Sequence, residues 1–298
     1  MTAMRPVLAA MVLGVAVALG VGSPAAALTT LDMTGREVRL AAPPERIVSL
    51  VPSVTEILFA LGAAERLVGV TDYCDFPPAA RAKPSVGGMV SPSLEAIVAL
   101  RPDLVIGTTE GSREETFTQL RRLGVPVYLV AAHRLADVDA LIRRLADLAG
   151  GAGTAKRVLA DLGRRIDAVR KAVASRARRR VLYVVWPEPL VVPGRDALVS
   201  ELIELAGGSS VTAVSGDAYP RVSLEAVAAG NPEVIILARH GTAAGAVDRE
   251  KWERFANVAA VRSGRIHAVD GNLTHRYGPR IVDGLETLAR LIHPEAFR

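Results

Sequence analysis

SLEAIVALRPDLVI, Ser93 to Ile106, is written almost unchanged a second time as SLEAVAAGNPEVII, Ser223 to Ile236, at a constant offset of 130 residues. Ser93 and Ser223, Glu95 and Glu225, Pro102 and Pro232, Ile106 and Ile236 all fall in register. Each copy is a helix that passes through Pro into an apolar strand, the unit of a parallel sheet covered by helices. Two such copies so far apart predict a molecule of two lobes with one shared architecture.

The pattern extends outward from both copies. Before the first, Thr34-Gly35 turns a short hairpin, Arg46 to Val51 is a core strand, and Leu67 to Val70 is a second. Ser53 and Glu56 open the intervening helix with the spacing of a capping box. After the first copy, a helix over 113–123 ends at Gly124 and feeds a strand over 126–130. From Leu135 to Arg178 the pattern is nearly unbroken helix, interrupted at Gly150-Gly151-Ala152-Gly153. Strand and helix then alternate again, with strands at 180–186, 233–237 and 265–269 and helices at 196–206, 223–229 and 280–292. The fold class is therefore α/β: two doubly wound parallel-sheet lobes joined by one long α-helix, with a ligand cleft between the lobes. The N-terminal lobe takes residues 28–152, the connecting helix 153–179 and the C-terminal lobe 180–298.

Residues 1–27 stand apart. A basic residue, an apolar run rich in Ala and Gly and a closing Ala25-Ala26-Ala27 predict a secretory signal peptide, and no Cys follows the run to carry a lipid anchor. Cys74 is the sole cysteine of the 298 residues, so stability must come from packing, and the thiol reads as a passive loop residue. The net charge of +5 has a bland source. Arg164, Arg165, Arg170, Lys171, Arg176, Arg178, Arg179 and Arg180 crowd onto the connecting helix and its exit, a solvated face without the aromatic interleaving of a nucleic-acid site.

In open parallel sheets ligands sit beyond the carboxyl ends of the strands. The loops there contain Pro52-Ser53, Thr71-Asp72-Tyr73, Gly87-Gly88-Met89, Thr108-Thr109-Glu110, Trp186, Tyr219, His240 and His275-Arg276-Tyr277. Only 12 residues of the chain are Phe, Tyr or Trp, yet Tyr73, Trp186, Tyr219 and Tyr277 fall in these loops. Aromatic faces beside one cation, Arg276, suit a large, flat, partly anionic ligand. Catalytic constellations are absent: no nucleophile elbow, no P-loop and no dinucleotide fingerprint, so the chain is not read as an enzyme. His240, His267 and His275, with Asp270, are scattered and individually explicable, and no metal site is expected.

LAAPPERIVSLVPSVTEILFALG (Leu40 to Gly62), VGVTDYCDFPP (Val68 to Pro78) and the two SLEA units resemble bacterial periplasmic substrate-binding proteins of the helical-backbone class, over residues 30–292. These serve ABC importers of corrinoids, ferric siderophores and haem. The chain is most similar to the cobalamin-binding branch. Tyr73 matches a corrin-contacting Tyr, Tyr219 sits where that branch often has Trp, and Arg276 in HRYGPRI matches an Arg near the corrin amides. Met89 and Thr108 stand where the branch carries aromatics, and Val191 stands near a third such position.

The resemblance implies a monomeric periplasmic protein that captures a corrinoid and delivers it to a membrane permease, with no cofactor of its own. Ser53, Tyr73, Met89, Thr108, Trp186, Tyr219, Arg276 and Tyr277 would line the ligand site. A ferric siderophore or haem is the alternative ligand, and for haem Tyr73 or His275 could supply an axial bond. Glu95 and Glu225 match paired surface glutamates that dock on a permease dimer. A two-fold symmetric partner presents the same basic patch twice, and a monomer meets both if each lobe carries the same acid. An acid in a helix's first turn is also favoured locally, by the macrodipole.

Overall fold

The computed structural model describes residues 28–213, 216–240, 252 and 254–298; residues 1–27, expected to be a signal peptide, lie outside them. The N-terminal lobe begins with an antiparallel hairpin, β1 (Leu28–Leu31) and β2 (Glu37–Leu40). Its turn is organised by buried Asp32, whose carboxylate accepts from the amides of Thr34 and Arg36, each at 2.9 Å. The lobe's sheet comprises β3 (Ile47–Ser49), β4 (Leu67–Val70), β5 (Leu104–Thr108) and β6 (Val127–Val130), all parallel, in the order β4-β3-β5-β6.

The C-terminal lobe repeats this plan. Its sheet comprises β7 (Arg179–Val184), β10 (Gly208–Ser210), β11 (Val234–Arg239) and β12 (Ile266–Asp270), again parallel, in the order β10-β7-β11-β12. Counted from each lobe's first strand, both orders are second-first-third-fourth. The repeat reaches the hydrogen bonds. Helix α2 (Leu94–Ala99) is capped by Ser93 Oγ accepting from the Ala96 amide, and α7 (Leu224–Ala229) by Ser223 Oγ accepting from the Ala226 amide, both at 3.1 Å. The residue before each Pro is left-handed, Arg101 at φ 46° and Asn231 at φ 42°. In each lobe an Arg beside the first strand steadies that turn: Arg46 Nε donates to Arg101 O and Arg180 Nε to Asn231 O, both at 3.0 Å.

Between the lobes lie α4 (Leu135–Ala149) and α5 (Ala152–Val173), separated by Gly150 and Gly151, both at positive φ. The connecting helix is thus shorter than the 153–179 expected. It stops at Val173, and the remaining residues form the turn that feeds β7, with Arg178 held to Gly208 O at 2.9 Å. Most basic side chains on this helix are exposed, and Arg164 meets Asp161 within it, whereas half-buried Arg165 binds Asp283 and Glu286 from far along the chain. Among the strands and α-helices, four elements escaped sequence reading. They are β10, the short hairpin of β8 (Trp186–Pro187) with β9 (Leu190–Val191), and a one-turn helix, α9 (Asn272–His275).

Each sheet is covered on both faces, which is why its strands are apolar throughout. Outer faces have their own clusters, around Val105 and Phe117 in one lobe and Ile235 and Trp252 in the other. The inner faces share one. Buried side chains run continuously from Ile57 and Leu58 on α1 (Pro52–Ala60), through Leu145 on α4 and Leu162 and Val169 on α5, to Leu202 on α6 (Leu198–Leu205) and Leu285 and Leu288 on α10 (Ile281–Ile292). Helix α10 packs on both α5 and α6, so the spine is buried into both lobes rather than strung between them. Among the described residues no helix is long and apolar enough to cross a membrane.

Candidate functional site

The carboxyl ends of β3 to β6 open into a cavity of about 380 Å³. Val51, Pro52 and Ser53 enter it after β3, Tyr73 after β4, Thr108 at the end of β5 with Glu110 beyond it, and Val130 at the end of β6 with Ala132 beyond it. Met89 and Val90 form one side, and the C-terminal lobe closes the other with Asn272, His275, Arg276 and Tyr277. The site therefore sits where parallel sheets place ligands, at the reversal of strand order and between lobes. Ser53, Tyr73, Met89, Thr108, Arg276 and Tyr277 all line this cavity.

Helix α1 contributes more than Ser53. Its N-cap is Val51, which offers no side-chain cap, and Pro52 occupies the first turn. The unbonded first-turn amides and the positive end of the helix thus face the cavity and suit a hydrogen-bond acceptor on the ligand. Ser53 lies inside the helix, so the expected capping box with Glu56 does not form. Proline, preset to helical φ, starts the helix one residue early.

Glu56 has another role. Its side chain is 2% exposed and binds two arginines from the opposite lobe. Arg276 Nη1 donates to Oε1 at 3.0 Å; Arg280 donates from Nη2 to Oε1 at 2.6 Å and from Nε to Oε2 at 2.9 Å. Arg276 also meets Asp75 Oδ1 at 2.7 Å and Tyr73 O at 3.2 Å, while Arg280 lies 3.9 Å over the Phe76 ring. Burial would raise the Asp75 carboxyl, but the hydrogen bond and charge of Arg276 hold it below its ordinary value. Arg276 lines the cavity, yet its charge is met by two carboxylates.

Trp186 and Tyr219 are not in the cavity wall itself. Trp186 stacks on His240 with centroids 6.2 Å apart, and His240 stacks on His275 at 5.0 Å, so an aromatic ladder leads from the C-terminal lobe surface to the cavity. Tyr183 meets His275 edge-on. Burial, and secondarily the neighbouring His240, push His275 down to about 3, so its imidazole is neutral, and its Nε2 is buried without a hydrogen-bond partner. Burial pushes the Tyr219 phenol up to about 12, with the Glu110 carboxylate adding to it. Tyr277 is raised by burial, Tyr219 and Glu110. Tyr73 is 60% exposed, Trp186 51% and Tyr219 42%, a set of aromatic faces left open to whatever enters.

The stacked rings of His240 and His275 present faces to one another rather than converging lone pairs, and His267 lies within β12. Among the described residues no three His, Cys, Asp or Glu side chains gather as a metal site needs. Cys74 is buried beneath α1, accepting from Thr55 Oγ1 at 3.1 Å. Val191, in β9, pairs with Trp186. Glu95 and Glu225 are exposed in the first turns of α2 and α7. A helix that turns directly into a parallel strand runs antiparallel to it, so both acids stand on the edge where the strands end, one per lobe.

Residues 47–273 match the family described as periplasmic binding protein. The vitamin B12-binding protein of Vibrio cholerae is 31% identical over 244 residues, covering 82% of this chain and 87% of its own. Among solved structures, the periplasmic vitamin B12 binding protein BtuF of Vibrio cholerae matches with a TM-score of 0.74 at 29% identity, covering 86% of this chain and 99% of that one. The periplasmic heme-binding protein RhuT from Roseiflexus sp. RS-1 matches with a TM-score of 0.76 at 31% identity, over 85% of this chain and 99% of its own. These are binding proteins that work outside the cytoplasm, holding small molecules for a membrane permease, and not enzymes. The chain belongs to the periplasmic binding protein family.

Proposed function

We propose that this protein captures a corrinoid of the cobalamin type in the cleft between its lobes and delivers it to an ABC importer. The observation that carries the reading is the open aromatic rim, Tyr73, Trp186 and Tyr219, around a cavity faced by uncapped helix amides. A large flat ring covers such faces, and the amides meet acceptors on its edge. The similarity to vitamin B12-binding proteins supports it. The ligand is cargo, and the protein needs no cofactor of its own. Residues 1–27 serve as a cleaved export signal, and the carrier acts as a monomer.

The test mixes protein beginning at Leu28 with cyanocobalamin, haemin and ferric siderophores, passes each mixture through gel filtration and records the visible spectrum. Corrinoid retained at one per chain is expected. Retention of haemin or a siderophore alone overturns the reading. Haem is the second reading because several structural neighbours are heme-binding proteins and neutral His275 carries an unpartnered Nε2 at the cavity.

Docking is assigned to Glu95 and Glu225. Their identical placement on two lobes suits a partner with two-fold symmetry. The double variant Glu95→Arg/Glu225→Arg is expected to bind ligand as wild type does while cutting uptake through the cognate permease at least tenfold. Unchanged uptake would remove the assignment.

A further inference from the structure

Resting on the corrinoid reading, we propose that Glu110 makes the cleft select a macrocycle whose rim carries amides and reject one whose rim carries carboxylates. Among the described residues, the charged side chains lining the cavity are Glu110 and Arg276, with His275 neutral. Arg276 is already held by Glu56 Oε1 at 3.0 Å, Asp75 Oδ1 at 2.7 Å and Tyr73 O at 3.2 Å. A ligand carboxylate would therefore compete with two protein carboxylates for that cation.

Glu110 is differently placed. Its Oε1 meets His133 Nδ1 at 2.7 Å, an exposed pair with side chains 47% and 63% accessible, and such pairs contribute little. The rest of its carboxylate is open to the cleft. Its charge reaches across the cavity mouth, since it helps raise the phenols of both Tyr219 and Tyr277. A carboxylate only accepts hydrogen bonds. A primary amide on the ligand rim donates two and is welcome; a rim carboxylate offers no donor and adds a like charge in a partly desolvated site. Discrimination of this kind arises from an unfavourable contact with the wrong ligand as much as from a good one with the right ligand.

The experiment measures equilibrium dialysis of dicyanocobinamide, whose rim carries amides, against dicyanocobyrinic acid, the same ring with free carboxylates, at neutral pH. Wild type is expected to bind the amide form at least tenfold more tightly. Glu110→Gln, which keeps one acceptor oxygen and removes the charge, should weaken cobinamide less than it strengthens the acid and so shrink the ratio at least threefold. Glu110→Lys should reverse the preference. A wild-type ratio near one, or a ratio that neither substitution moves, overturns the role of Glu110 while leaving corrinoid capture intact. Binding of neither corrinoid overturns both.

Discussion

Replacing Glu56 by alanine is expected to lower the free energy of unfolding by about 3–5 kcal/mol, the range for removing one partner of a buried ion pair. The reason is what remains. Arg276 and Arg280, with side chains 14% and 17% exposed, would stay in place without the carboxylate that both address. Arg276 would keep Asp75, but Arg280 would keep only the face of Phe76. At 2.6 and 2.9 Å, the two-pronged contact of Arg280 is the geometry for which arginine is suited. Urea denaturation followed by circular dichroism measures the loss, and a change below about 1 kcal/mol would place these charges in effective contact with water. Asp75 sets the acid limb of the same cluster. Because its folded pKa is lowered, its contribution is complete above the unfolded value of 3.8 and is lost as pH falls through the lowered value. The urea midpoint of wild type should therefore fall further at acid pH than that of Asp75→Asn, which keeps the lowered carboxyls of Glu286 and Glu295.

Gly284→Ala is expected to cost about 2–3 kcal/mol, within the range for forcing extra volume into a packed interior. A Cβ at this position of α10 would lie 2.2 Å from Leu273 O and 2.9 Å from Leu273 C. Both are backbone atoms of α9, so relief requires the helices to part. Asn272, His275, Arg276 and Tyr277, which line the cavity, ride on that segment, and ligand affinity should fall roughly tenfold, about 1.4 kcal/mol. The internal control is Gly163→Ala on α5, where a Cβ meets nothing within 4 Å. Exposed in a helix interior, it should stabilise the protein by up to about 1 kcal/mol. Equal melting shifts of the same sign in the two variants would contradict the packing of α9 on α10.

The repeat was legible because its signals are local: periodicity, a Pro after each helix and glycine at helix ends. Leu67–Val70 stands where the pattern put it, and the turn at Thr34-Gly35 joins β1 to β2 as read. Ser53 and Glu56 show the limit. Their spacing fits a local cap, but the side chain of Glu56 is claimed by arginines more than 200 residues away in sequence, and no local pattern announces that. Arg276 was recognisable as a site residue and not as a neutralised one for the same reason. Strand β10, Gly208–Ser210, lacks branched and aromatic residues and is recruited by pairing with β7. Glu110 stood in the right loop without distinction, since its proposed role depends on Arg276 being already held by Glu56 and Asp75, a property of three-dimensional arrangement.

The unbroken hydrophobic core from Ile57 to Leu288 bears on how such a protein can diverge. Its halves repeat one plan, yet they are no longer separable cassettes. A lobe borrowed from a relative would bring α10 or α4 side chains cut to a different α5, leaving voids or overlaps at a surface that interiors tolerate poorly. Recombining lobes is thus a closed route to new cargo. Ligand preference must change through substitutions in the loops after the strands, which touch the cleft and leave the shared interior undisturbed.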